Sequence, residues 1–431
     1  MSAVASLPSK MLDCDRALVE VGKKIRVLNA IAWPAAMEEV FLDGWRAGKP
    51  QLPQPPLAPR PHPEEIATLD AIMRDLDRGD PIGNWLYKSA WSYRVAARML
   101  EQIGEPGFTR CSALLYGRPD HRYRSQEANN ADAAGDMLRI TDELLGRENL
   151  PPLACDIPAE EFAARLRERM GEFFTKDKVR VVLDPELASK ATAGSTKVSL
   201  RATALFSEAD LEQLLEHEAF IHTATLLNGK HQPVLRSLGV GAPRTTRTQE
   251  GLATFAEIVT GAMDIARLRR IALRVVMVGK ALAGADFIEV FRGFLEAGQT
   301  EVESYRSAAR VFRGGNVRGG VCFTKDGAYL EGVFAIQLFI RRALQEGRGH
   351  LLRMLFVGRV TTGDVITLEP YLASGLVARA TYVPPWARQP HRILSLMAYS
   401  AGAQRFRSDT FALDRFAEYE DELVADAGTD Y

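Results

Sequence analysis

The chain has 431 residues, 46% of them hydrophobic and 25% charged, with a formal net charge of −1. That balance is the balance of a folded globular protein of about two or three domains, or one large elaborated one, and it excludes a disordered or fibrous chain. Near-neutrality also argues against nucleic-acid binding, which calls for a basic excess gathered on one face.

In chain order, residues 1–10 lack the apolar core of a signal peptide. Residues 12–32 carry Leu18, Val21, Ile25 and Leu28 at helical spacing and predict an amphipathic packing helix. Seven prolines within residues 50–63 forbid helix or central strand there, and an extended surface strap is expected. Helical patterns resume over 64–103. A second break at 148–158 divides a helical N-terminal region, 1–150, from the rest, 151–431. Beyond it come a helix near 159–173 and two short β-branched runs, 179–183 and 196–201, that read as strands of a small sheet. The chain is then helical to about residue 270, with no internal repeat. The longest apolar stretch, 271–288, is broken by Arg274 and Lys280, so no membrane span is expected. Cys14, Cys111, Cys155 and Cys322 form no CxxC pair, which argues against a thiolate metal site or a disulfide framework and fits a reducing cytoplasm.

Ser207 and Asp210 form a capping-box-like start to a helix that runs on through Leu211, Leu214 and Leu215 to Asn228 and Gly229. On it lies His217-Glu218-Ala219-Phe220-Ile221-His222. In the HExxH signature, histidines at i and i+4 share a helix face and the glutamate between them acts as general base. Here the spacing is i and i+5, which on a regular helix turns the second ring roughly 140° away from the first. A π-bulge that absorbs one residue would bring the rings back together, and such bulges concentrate at functional sites. The competing reading is an ordinary helix whose histidines bind nothing.

Glycines and prolines over 229–243 bring the chain around, and Thr246 with Gln249 resembles a second capping box. Glu250 then lies in the first turn of the next helix, 28 positions beyond His222. Two histidines plus a glutamate from a second helix complete three protein ligands and leave a fourth position for water. Glu257 and His231 are rival ligands, with an outer supporting role favoured for Glu257 and a surface position for His231.

The run Gln249-Glu250-Gly251-Leu252-Ala253, with HExxxH upstream, resembles the bacterial QEGLA-motif proteins, which are similar to the microtubule-associated tyrosine carboxypeptidases. Residues 12–28, 112–117, 225–229 and 313–332 match as well. The resemblance implies an α+β, mostly helical, gluzincin-like zinc metallopeptidase domain. It also implies Zn2+ at His217, His222 and Glu250, a catalytic Glu218, and removal of a C-terminal tyrosine or other aromatic residue from a peptide or protein. Tubulin itself does not carry over. The alternative is a non-catalytic zinc-binding regulatory protein with a peptidase-like fold.

For the chemistry, Glu218 is the expected base, and Tyr329 the expected donor to the developing oxyanion. A terminal carboxylate needs a fixed cation, and the glycine-rich stretch 313–320 with its sequel offers Arg313, Arg318 and Lys325. The strand at 196–201 reads either as an edge for an extended substrate or as a plain structural strand. The chain ends in Tyr431 behind acidic residues, which raises self-trimming as a further expectation.

Overall fold

The computed structural model describes residues 7–56, 58–122, 128–145, 153–187 and 189–403; the expectation about Tyr431 lies outside them. The chain separates into two units, Met1–Arg388 and Gln389–Tyr431. The described part of the second holds one helix, Pro390–Ala403.

The protein is mostly helical with a small sheet, an α+β arrangement. The first expected helix is shorter than its periodicity suggests. It spans Ser9–Lys24, breaks at Ile25 and Arg26, and resumes for one turn, Val27–Ala30. The break rotates Leu28 out to 44% exposure. What fixes this helix is Asp15, a buried carboxylate that accepts from the backbone N–H groups of Arg236 (2.8 Å) and Ser237 (3.1 Å). The proline-rich stretch is extended in its described residues and tied down by Arg60 N–H donating to Leu100 C=O at 2.9 Å. Pro63 closes it as the first residue of helix Pro63–Asp75, where proline's missing N–H costs nothing.

Two small sheets follow. Strands β1 (Ile157–Pro158) and β5 (Leu205–Phe206) pair antiparallel. Strands β2 (Arg180–Asp184), β3 (Ala191–Ala193) and β4 (Lys197–Arg201) form a sheet in the order β2-β4-β3, with β2 parallel and β3 antiparallel to β4. The strand weighed as a substrate edge is thus the central one. Both sides of β4 are filled, so it cannot pair with a substrate; β3 is an edge strand. The sheet and the helix Ala159–Phe173 enclose an apolar cluster that includes Phe162, Phe206, Val198, Leu200, Leu215, Ala219 and Phe220. Phe162 stacks on Phe206 with ring centroids 4.1 Å apart. At about 1.5–3 kcal/mol per large apolar side chain removed from water, this cluster holds the HExxxH helix against the sheet.

A second crossing fixes the other half of the site. The helix Thr246–Thr260, which carries the QEGLA run, meets the helix Ala328–Gln345 at Gly251 and Gly332. A Cβ on Gly251 would lie 2.2 Å from the Gly332 carbonyl carbon, and one on Gly332 would lie 2.3 Å from the Arg247 oxygen. Helices on either side of residue 150 also pack together, Asn130–Leu145 against Ile265–Leu282. Among the described residues no helix is long and apolar enough to cross a membrane.

Because main chain stands on both sides of the glycine contact, no side-chain rotation can relieve an added methyl. Gly251→Ala is expected to destabilise the protein by about 1–3 kcal/mol or more. The urea midpoint measures it, and an unchanged midpoint would contradict the close crossing.

Candidate metal centre

The HExxxH helix starts as the sequence suggests. Ser207 Oγ accepts from Asp210 N–H (3.2 Å) while the Ser207 N–H donates to Asp210 Oδ2 (2.6 Å), a complete capping box. The helix is regular over Glu208–Leu214, widens to a π-helix over Leu215–Thr223, and returns to α over Ala224–Lys230. Within the π segment five positions take the place of four, so His217 and His222 fall on one side. Their ring centroids are 4.8 Å apart, with planes at 86°.

The returning helix starts at Thr246, but without the expected second capping box: its N-cap is Thr245, and no side chain caps it. Gln249 is buried instead. Its Oε1 accepts from Thr225 Oγ1 (2.9 Å) and from Arg359. Glu250 Oε2 lies 3.6 Å from His217 Nε2 and 3.5 Å from His222 Nε2. All three potential ligand atoms lie within 4.8 Å of one another, and among the described residues this is the metal-capable group. Donors about 2.0–2.1 Å from a tetrahedral ion stand roughly 3.4 Å apart, so two imidazoles and a carboxylate at these separations suit one small cation.

The rival ligands fall outside it. Glu257 is fully buried one step behind His217, its Oε1 2.5 Å from His217 Nδ1, and is itself gripped by the Arg267 guanidinium (Nη2 to Oε1, 2.7 Å). A carboxylate behind a histidine fixes the ring and its tautomer and leaves Nε2 free to bind. His231 lies elsewhere, with Nε2 3.2 Å from Asp177 Oδ1.

Burial alone would favour a neutral His217. Hydrogen bonds to Glu250 and Glu257, with the charges of Glu257 and Glu218, override it and raise the ring to about 10. Burial keeps His222 below the ordinary histidine value. Glu250 is held well below the usual carboxylate range; burial opposes this, but the Lys325 charge and the two imidazoles outweigh it.

Lys325 is buried, and its Nζ donates to Glu250 Oε1 at 2.7 Å. It also stands 5.1 Å from the centre of the Tyr329 ring. Beyond it lies a group of cations that sequence reading largely missed. Arg310 forks onto Asp326 with two bonds of 2.6 Å, and Arg274 Nε is 3.8 Å from Asp326 Oδ2. Arg313 rests over the Phe323 ring at 5.3 Å. Neither the Arg274 nor the Arg313 Nε has a hydrogen-bond partner among the described residues. Burial, then the Arg310 charge, lowers Arg274 to about 9 and Arg313 to about 10. Arg318 is exposed on its turn and stands outside this group. The signal for Arg274 was present in the sequence as a charge interrupting an apolar stripe; Arg267, Arg310 and Arg359 carried no signal.

The edge strand β3 packs on the π segment, and Thr223 Oγ1 donates to Gly194 C=O at 3.0 Å. Gly194 N–H bonds to Lys197 C=O and Arg201 N–H to Lys190 C=O, so by strand alternation Ala191 and Ala193 turn their backbone groups away from β4.

With chelator present, the raised His217 stabilises the fold fully below its unfolded value of 6.5, and that contribution is lost as pH rises through about 10. The denaturant midpoint of the metal-free protein is expected to fall across that window, and the fall should be smaller in His217→Gln. Equal slopes would contradict the assigned partners.

Curated proteins offer no match to the chain. The sequence model of the microtubule-associated tyrosine carboxypeptidases matches residues 39–405, a span that takes in both histidines, Glu218, Glu250 and the whole cationic group. The chain belongs to the microtubule-associated tyrosine carboxypeptidase family.

Proposed function

We propose that this protein is a zinc-dependent metallocarboxypeptidase with a gluzincin-like catalytic unit, which removes a C-terminal tyrosine or other aromatic residue from peptides or proteins. Family membership supports a tyrosine carboxypeptidase-like activity. The observation that carries the zinc reading is the convergence of His217, His222 and Glu250, with Glu257 behind the first ring. What the family's name says of microtubules is not carried to this chain.

His217, His222 and Glu250 would hold the ion through two nitrogens and one oxygen. Zinc in such a site supplies Lewis acidity to a water and to a carbonyl. The remaining work falls to the chain. Glu218, half-buried on the same π segment, takes a proton from the attacking water and passes it to the leaving amine. Lys325 neutralises the far oxygen of Glu250 and so limits the negative charge that the site presents to an incoming carboxylate. Tyr329, set among Lys325, Arg310 and Arg313, is the candidate hydroxyl donor to the oxyanion.

The cationic group supports action at a chain end. Arg274, Arg310, Arg313 and Lys325 share two carboxylates, Asp326 and Glu250, and the second of these is committed to the metal. The excess positive charge suits a substrate's terminal carboxylate, with Arg313 as the donor whose Nε has neither a hydrogen bond nor an ion pair among the described residues.

Glu218→Gln is expected to lower kcat on a peptide ending in tyrosine by about 10²–10⁴-fold while retaining one zinc per chain. Full activity in this variant would end the proposal. The same peptide with its C-terminus amidated should not be cleaved, and Arg313→Met should raise KM for the free acid; cleavage of the amide at an equal rate would exclude a carboxylate-directed site.

A further inference from the structure

The two histidines are backed by opposite chemistry. His217 Nδ1 faces the Glu257 carboxylate. His222 Nδ1 faces a guanidinium, Arg359 Nη1, at 3.2 Å. An arginine can only donate, so in this arrangement Nδ1 must be the acceptor and the ring proton sits on Nε2, the atom turned toward Glu250. A neutral imidazole in that tautomer has no lone pair on Nε2, the atom that faces Glu250; its lone pair is on Nδ1, against Arg359. To bind through Nε2 it must carry its proton on Nδ1 and donate it to an acceptor.

The Gln249 side-chain oxygen shares that guanidinium nitrogen. Arg359 Nη1 also donates to Gln249 Oε1, so one guanidinium nitrogen lies between the imidazole and the Gln249 oxygen. The arrangement is incompletely satisfied: Gln249 Nε2 and Arg359 Nε are both buried without a hydrogen-bond partner among the described residues. Beside the arginine lies a small cavity of about 10 Å³, bordered by Trp85, Ser89, Tyr93 and Ser237. The Tyr93 hydroxyl and the Trp85 Nε1 there likewise have no partner. That is room for about one water.

Resting on the zinc centre proposed above, we infer that Arg359 and Gln249 are opposed positioning residues for His222: Arg359 holds the tautomer that cannot bind metal, and Gln249 accepts the Nδ1 proton of the tautomer that can. Metal uptake turns Arg359 off His222 toward Tyr93 and hands the imidazole N–H to the glutamine oxygen. This gives the glutamine that precedes the ligand glutamate a task of its own. Thr225 Oγ1 supports it by holding that oxygen in place at 2.9 Å.

The test is the zinc dissociation constant of the full chain, measured by competition with a chelator of known affinity. Gln249→Leu is expected to weaken zinc binding about 10–100-fold, as loss of an outer partner does in other sites. Arg359→Met is expected to tighten it about tenfold. A merely structural arginine would do the reverse, since its loss would loosen the site. Arg359→Gln, uncharged but polar, repeats the measurement should the methionine variant fail to fold. Affinity that is unchanged or weaker on removing Arg359, or unchanged in Gln249→Leu, overturns the inference while leaving the metal centre standing. If the parent chain binds no zinc, both fall.

Discussion

Everything in this site depends on one local departure from helical regularity. Two histidines five positions apart share a helix face only where the helix is wound wide, and residues 215–223 are wound that way. A π segment is less favourable than α-helix on its own, so it must be held from outside. The apolar cluster under Leu215, Ala219 and Phe220 presses it on the sheet, and Thr223 bonds to the Gly194 carbonyl at its end. Regular helix on both sides, with a complete cap at Ser207, confines the distortion to the segment that carries the two histidines and Glu218.

Charge is arranged around that segment in a directed way. Behind His217 stands a buried anion neutralised by Arg267; beside Glu250 stands Lys325; beyond Lys325 lies a surplus of guanidinium groups. An isolated buried charge is expensive, so each is paired or leans on a neighbour. The guanidinium nitrogens left without a hydrogen-bond partner among the described residues support the proposed reading, because they can donate to a substrate's anion. The proposed carboxylate-directed activity and the family assignment meet at that point.

Legibility in the sequence followed physical range. The clustering of His217, His222 and Glu250 was readable because its information is local: a spacing that only a π segment can reconcile, a return of the right length, and the QEGLA run. The capping box at Ser207 was readable for the same reason. The similar pattern at Thr246 misled, since the Gln249 oxygen is claimed by Thr225 and Arg359 from distant parts of the chain. The order of strands in a sheet is likewise non-local: β4 follows β3 in the chain but lies between β2 and β3 in space, which removes it as a substrate edge. The long first helix was overestimated because periodicity does not register the break at Ile25 and Arg26. Of the three expected clamps, Lys325 serves Glu250 directly, Arg313 belongs to the cationic group, and Arg318 faces outward.

The central claim, that two imidazoles and a carboxylate converge on one zinc ion, is most directly tested by zinc K-edge X-ray absorption on the protein loaded with one equivalent of metal. The account predicts a first shell of nitrogen and oxygen at about 2.0–2.2 Å with the outer scattering of two imidazole rings. A shell containing sulfur, or one with fewer than two imidazoles, would contradict it.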